Sequence, residues 1–103
     1  MTTEIIRIED SLAQADDIKK AASLINQGGL VVIPTETVYG LGGDATNPLS
    51  SQKIYAAKGR PSDNPLIIHI AEPSDAEKYA YTNSLYYKLA DAFMPGPLTV
   101  ILK

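Results

Sequence analysis

The chain contains no cysteine, which excludes disulfides, thiol nucleophiles and zinc sites built on cysteine. It has no apolar run long enough to span a bilayer and no basic-then-apolar leader at its start. Its single histidine, His69, has no second histidine with which to form a metal site. By elimination we expect a cytoplasmic protein without a membrane partner.

A basic surplus is absent as well. The formal net charge is −3, which argues against a strong general nucleic-acid-binding protein. Lys53, Lys58 and Arg60 nevertheless lie close together in sequence, so the net charge does not exclude a local basic patch. With 103 residues, the chain can form one domain at most.

Strand-like apolar runs alternate with helical periodicities along the chain, and this alternation predicts an α/β fold with helices packed against a sheet. The predicted strands cover residues 5–8, 30–33, 66–70 and 98–102. The predicted helices cover about 11–27, 48–58, a short segment from 73, and a segment that begins after Thr82 or Asn83.

Cap signals mark the ends of the first two helices. Asp10 or Ser11 is expected to cap the first helix, and Gly28 suits the left-handed position after its end. Asn47, followed by proline, is expected to cap the second helix, and Gly59 is expected to end it.

Residues 34–43 form the most informative segment, because a buried strand opens there into polar and glycine residues. Pro34 ends the strand pairing, and the glycines allow a ligand to approach the backbone closely. Thr35, Thr37 and Tyr39 offer hydroxyl groups that could orient a polar substrate. The same hydroxyls could instead cap the backbone of the loop itself.

A second polar loop, residues 58–65, brings Lys58 and Arg60 beside another predicted strand. These cations suit a phosphate or carboxylate, although they could equally be a solvated helix end. Glu36 is a possible general base, or a loop carboxylate paired with one of these cations. His69 is either a packed strand residue or a group that faces the ligand. Neither known glycine-rich phosphate-loop pattern is present.

The motifs PTETVYGLGG at 34–43, KGRPSDNPL at 58–66, the histidine at 69 and PGPLT at 95–99 together resemble the Sua5/YciO/YrdC family. The resemblance covers nearly the whole chain, and the motifs follow one another in the family's order. It implies an α/β fold with a twisted open mixed sheet and flanking helices.

The resemblance also implies a threonylcarbamoyl-AMP synthase, a nucleotidyltransferase that combines L-threonine, bicarbonate and ATP and releases pyrophosphate. Magnesium accompanies the ATP, and no protein side chain is expected to hold a metal tightly. The product is the donor for threonylcarbamoyladenosine at position 37 of tRNA, so tRNA and the transfer machinery act downstream. No catalytic side chain is expected, because positioning and charge neutralisation are enough for such a reaction.

Site residues follow from the matching motifs. The resemblance assigns the nucleotide phosphates to Lys58, Arg60, Ser62 and Asn64. It assigns the threonine pocket to Thr35, Thr37, Tyr39 and His69.

Family members are roughly twice as long as this chain, in line with ordinary domain sizes. We therefore expect residues 1–103 to form a single YrdC-like domain that is incomplete at its C-terminal end. In isolation it should bind ATP incompletely and show weak or no synthase activity. An unpaired last strand would favour a homodimer, because exposed strand edges invite pairing.

Three alternatives stay open at this point. The chain could be a carbamoyl-transfer module, as found in hydrogenase maturation proteins, although it lacks their acylphosphatase and zinc-finger regions. It could be an RNA-binding or ribosome-associated module without catalytic activity. It could also be a family member without surviving activity.

Overall fold

A computed structural model describes residues 2–59 and 65–103. The chain divides into two compact units, Met1–Asn64 and Pro65–Lys103, which we call the first and the second unit. None of the described helices is long and apolar enough to cross a membrane. The first unit contains α1 (Ala15–Asn26), β1 (Val31–Ile33), β2 (Gly40–Gly42) and α2 (Pro48–Lys58). The second unit contains a 3₁₀ helix (Pro73–Lys78) and α3 (Ser84–Phe93).

The two strands of the first unit form an antiparallel hairpin. Val31 lies opposite Gly42, and Ile33 lies opposite Gly40. β1 falls within the predicted strand 30–33 and ends immediately before Pro34, as predicted. β2 was predicted as part of a loop, because glycine carries none of the side-chain signal by which a strand is recognised in sequence.

The second helix, α2, forms as its cap signals predict. The side-chain Oδ1 of Asn47 accepts a hydrogen bond from the backbone N–H of Leu49 at 3.0 Å, and Pro48 occupies the first turn. Gly59 follows the last helical residue with a φ of 66°, in the left-handed region that suits glycine. These local signals fix both ends of the helix.

The first helix begins later than predicted, at Ala15. Asp10 does accept backbone hydrogen bonds, from Leu12 at 3.0 Å and Ala13 at 3.3 Å, but these close a turn that precedes the helix. Gly28, with a φ of 88°, occupies the left-handed position expected after the helix.

The predicted opening strand at residues 5–8 was wrong. The side chain of Gln14 binds the backbone there, donating to the carbonyl of Arg7 at 2.8 Å and accepting from the N–H of Glu9 at 2.7 Å. These backbone groups therefore pair with a side chain at the start of α1, and no strand pairs with this segment in the described part of the chain.

Close contact between Gly43 and α2 organises the core of the first unit. A Cβ atom at Gly43 would lie 3.0 Å from Leu30 Cδ2 and 3.4 Å from both Ser50 Cβ and Ile54 Cδ1. Glycine thus lets the end of the hairpin approach the buried face of α2. That face carries Ser50 and Ile54, whereas Leu49 is 63% exposed.

Tyr86 and Ala90 are the buried residues of α3 in the second unit. The Tyr86 hydroxyl donates a hydrogen bond to the backbone carbonyl of Pro73 at 2.6 Å, which ties α3 to the 3₁₀ helix. Asn83 caps α3 by accepting from the Tyr86 N–H at 2.8 Å. Leu85 and Phe93, two further apolar residues of α3, are exposed.

The predicted strands 66–70 and 98–102 are not present among the described residues. A strand is defined by the partner with which it exchanges backbone hydrogen bonds, and the sheet described in this chain consists of β1 and β2. The α/β class is confirmed by the helices and the hairpin, while the sheet is smaller than predicted.

Candidate functional site

The loop between β1 and β2, residues 34–39, closes on itself through Thr35. The Thr35 hydroxyl donates to the backbone carbonyl of Val38 and accepts from the N–H of Thr37 at 3.3 Å. The hydroxyl oxygens of Thr35 and Thr37 lie 3.5 Å apart. The Thr35 hydroxyl therefore caps the loop backbone, which is one of the two alternatives for the loop hydroxyls. A role of these hydroxyls in orienting a substrate stays a prediction.

This loop encloses a small open cavity of about 240 Å³, lined by Pro34, Thr35, Thr37, Val38 and Tyr39. Tyr39 is 76% exposed, so its phenol is accessible to a bound molecule. The cavity thus combines apolar surface from proline and valine with hydroxyl groups that both donate and accept hydrogen bonds. Such a lining suits a small polar molecule with an apolar part, such as an amino acid.

The hairpin determines where these side chains lie. β1 ends at Ile33 and β2 begins at Gly40, so the loop is anchored at both ends by the strand pairing. A Cβ atom at Gly40 would lie 3.3 Å from the Thr35 methyl group, which indicates close packing between β2 and the loop. The sequence predicts that Thr35, Thr37 and Tyr39 belong to one site, and in the structure all three line the same cavity.

Lys58, the predicted phosphate ligand that lies within the described residues, is the last residue of α2 and is exposed. Its position at a helix C-terminus favours a cation through the helix dipole. The other predicted phosphate ligands, Arg60, Ser62 and Asn64, lie outside the described residues.

The basic patch proposed from sequence is divided on α2. Lys53 and Lys58 are separated by five positions, which places them about 140° apart around a helix. Lys53 Nζ donates to the backbone carbonyl of Gly28 at 2.8 Å and borders a groove of about 520 Å³ with Gly29 and Leu30. The two lysines therefore do not form one continuous cationic surface.

His69 lies in the second unit and is exposed. Its Nδ1 atom is 3.4 Å from the backbone carbonyl of Ile67, a contact within its own segment. His69 is therefore not the packed strand residue that one alternative predicted. Its assignment to the threonine pocket stays a prediction.

No ion pair joins Glu36 to Lys58 in the described part of the chain. The predicted pairing of the Glu36 carboxylate with Lys58 is therefore wrong. Within residues 2–59 and 65–103, no three His, Asp or Glu side chains are grouped so that they could hold a metal ion.

Sequence reasoning missed the turn between β2 and α2. Asp44 Oδ1 accepts from the Thr46 hydroxyl at 2.6 Å and from the Thr46 N–H at 2.9 Å. The hydroxyl bond, followed by the backbone bond, holds the pKa of Asp44 below its ordinary value. An aspartate two residues before a threonine in a turn is the signal that could have identified this element.

Comparisons with known proteins identify the family of this chain. Residues 23–103 match the Sua5/YciO/YrdC family model, which carries the description "Telomere recombination". The chain belongs to this family. It is 48% identical to the threonylcarbamoyl-AMP synthase of Bacillus subtilis (strain 168) over 99 residues, which is 94% of this chain. It is 46% identical to the enzyme of the same name from Pyrococcus abyssi over 101 residues, which is 97% of this chain.

The fold is also similar to a solved structure, the crystal structure of P. abyssi Sua5 complexed with L-threonine. The two align with a TM-score of 0.74 at 46% identity, over 88% of this chain and 26% of that chain. The chain spans 29% of the length of the B. subtilis and P. abyssi relatives. The likeness therefore identifies the family and the fold of this segment.

Proposed function

We propose that this chain supplies the threonine-binding loop of a threonylcarbamoyl-AMP synthase. The observation that carries the proposal is the 34–39 loop, where the side chains of Thr35, Thr37 and Tyr39 line one cavity of about 240 Å³. The L-threonine complex of P. abyssi Sua5, at 46% identity to this chain, supports an amino acid as the ligand.

In this proposal the loop recognises the hydroxyl and polar ends of L-threonine. Thr37 and Tyr39 are accessible at the cavity, and Thr35 lines it. A threonine-binding role for His69 stays a prediction from the family motif. The phosphates of magnesium-bound ATP are held by cations and polar side chains, since arginine and lysine suit phosphate oxygens. These phosphate ligands are Lys58, Arg60, Ser62 and Asn64.

The proposed reaction needs no protein nucleophile. The amine of L-threonine adds to bicarbonate, and loss of water from the adduct gives a carbamate. A carbamate oxygen then attacks the α-phosphorus of ATP while the bond to the leaving pyrophosphate breaks. Such a step is accelerated by holding the reactants in line and by neutralising the charge of the phosphates. A role in tRNA modification, a homodimer and a cytoplasmic location stay predictions that accompany this proposal.

A titration followed by amide NMR tests the ligand. Adding L-threonine to the 103-residue chain should shift the amide signals of Thr37 and Tyr39. L-Valine has nearly the same shape without the hydroxyl, and a site that hydrogen-bonds a hydroxyl discriminates against such an analogue. L-Valine should therefore bind at least roughly tenfold more weakly.

A matched pair of variants locates the binding surface. Thr37→Val should weaken L-threonine binding, whereas Thr3→Val, at an exposed position outside the loop, should leave it unchanged. Equal shifts with L-threonine and L-valine, or no shift of the loop amides in the wild-type chain, would contradict the proposal.

A further inference from the structure

The Thr35 hydroxyl is already engaged within the loop. A threonine hydroxyl has one hydrogen to donate and two lone pairs with which to accept. The hydrogen goes to the Val38 carbonyl, and one lone pair accepts from the Thr37 N–H at 3.3 Å. Thr35 therefore has no proton left to donate to a ligand unless the loop gives up its own hydrogen bond.

The methyl group of Thr35 lies close to the first residue of β2. It is 3.3 Å from the position that a Cβ atom at Gly40 would occupy. The bond to Val38 spans three residues, so it closes the turn that contains Thr37. Thr35 thus joins the two ends of the segment that presents Thr37 and Tyr39 to the cavity.

We propose that Thr35 is a positioning residue: it closes the loop and so preorders Thr37 and Tyr39 for the ligand. This inference rests on the proposed function for the identity of the ligand, and it replaces the expectation that Thr35 is itself a threonine contact. A loop that is ordered before binding loses less conformational freedom when the ligand arrives, which strengthens binding without any further contact.

Two substitutions at position 35 separate the hydroxyl from the methyl group. Thr35→Val keeps the shape and removes the hydroxyl, whereas Thr35→Ser keeps the hydroxyl and removes the methyl. Thr3→Val serves as a control for a threonine-to-valine change at an exposed site. Circular dichroism first establishes that each variant retains its helices.

Backbone order parameters of the ligand-free chain provide the readout that does not depend on threonine. In Thr35→Val, the order parameters of residues 36–38 should fall from about 0.85, typical of rigid backbone, toward about 0.6. Thr35→Ser and Thr3→Val should stay near the wild-type values. The affinity for L-threonine should fall roughly tenfold in Thr35→Val and remain within about threefold of wild type in Thr35→Ser.

Each outcome decides one claim. If Thr35→Val leaves residues 36–38 as ordered as in the wild type, or if Thr35→Ser loosens them equally, the positioning role is wrong. If the wild-type chain binds no L-threonine, the proposed function fails, while the order parameters still decide whether Thr35 closes the loop.

Discussion

Two apolar runs of this chain, residues 30–33 and 66–70, are alike in composition but differ in structure. The first contains β1, which pairs with β2 across the 34–39 loop. The second lies in the other unit and forms no ladder within residues 65–103. Apolar composition therefore marks a segment that is able to become a strand, and a partner within reach decides whether it does.

Within the described residues, the two units consequently differ in strand pairing, which occurs in the first unit. In the first unit, strand pairing and the contact of Gly43 with α2 bring distant segments together. In the second unit, side chains bind backbone groups, with Tyr86 reaching Pro73 and Asn83 capping α3. Because strand pairing among the described residues is confined to the first unit, a substitution that removes a strand hydrogen bond should affect that unit and spare the second.

The largest expected effect comes from proline in β1. Because Pro34 has no N–H to donate, we expect the hydrogen-bonded pairs of the hairpin to be Val31–Gly42 and Ile33–Gly40. Val31→Pro removes a ladder donor and should lower the free energy of unfolding by about 3 kcal/mol. Urea unfolding followed by circular dichroism measures the change.

Two further prolines sharpen this test. Val32→Pro lies in the same strand at a position whose N–H should face away from β2, so it should cost about 1 kcal/mol. Ile67→Pro, in the unpaired run, should stay within about 0.5 kcal/mol of wild type. A loss at Ile67 as large as that at Val31 would show that the second run does pair, and the contrast between the runs would be wrong.

The next largest effect is expected in the second unit, at Tyr86. Tyr86→Phe removes the hydroxyl that binds the Pro73 carbonyl at 2.6 Å and leaves that carbonyl without its partner. We expect a loss of about 1–2 kcal/mol in the free energy of unfolding. Tyr87→Phe is the matched control, because its hydroxyl binds the exposed Glu77 carboxylate and should contribute about 0.5 kcal/mol or less. Equal losses in the two variants would contradict a special role for the buried hydroxyl.

The same contrast explains how much of the structure could be predicted from the sequence. The ends of α2 were predictable because Asn47 and Gly59 act on backbone groups only a few residues away. The pairing of β2 and the absence of a ladder at 66–70 depend on segments that must meet in space, which local sequence does not encode. The site was predictable as a loop rich in hydroxyls, but the partner of each hydroxyl, such as Val38 for Thr35, depends on how the loop closes.

A smaller effect, of opposite sign, is expected at Ser50 in the core of the first unit. Its side chain is fully buried, and its hydroxyl has no hydrogen-bond partner among the described residues. Ser50→Ala should therefore raise the free energy of unfolding by about 1 kcal/mol. Ser51→Ala, at the next position of α2, is the control, because it gives the same gain in helix propensity at a partly exposed site. The difference between the two changes in the free energy of unfolding therefore measures the effect of the buried hydroxyl. A difference of zero would mean that Ser50 has found a partner.

The smallest expected effect concerns two acidic turns, one in each unit, whose aspartates should respond differently to substitution and to salt. The pKa of Asp44 is lowered mainly by the Thr46 hydroxyl, and the pKa of Asp75 by the Glu72 N–H and then by Lys78. Both folded-state pKa values lie below the ordinary value of an aspartate, so the folded state binds fewer protons than the unfolded state as the pH falls through that range. The ionised carboxylate of each turn should therefore add its full contribution to the free energy of unfolding above about pH 4. That contribution should be lost as the pH falls through the folded-state pKa.

Carboxyl titrations by NMR should show Thr46→Val raising the pKa of Asp44 and leaving that of Asp75 in place. High salt should raise the pKa of Asp75 more than that of Asp44, because part of the shift at Asp75 comes from the charge of Lys78 and is screened. Equal salt sensitivity at the two carboxyls would show that hydrogen bonds alone lower both pKa values, and that the two units do not differ in this respect.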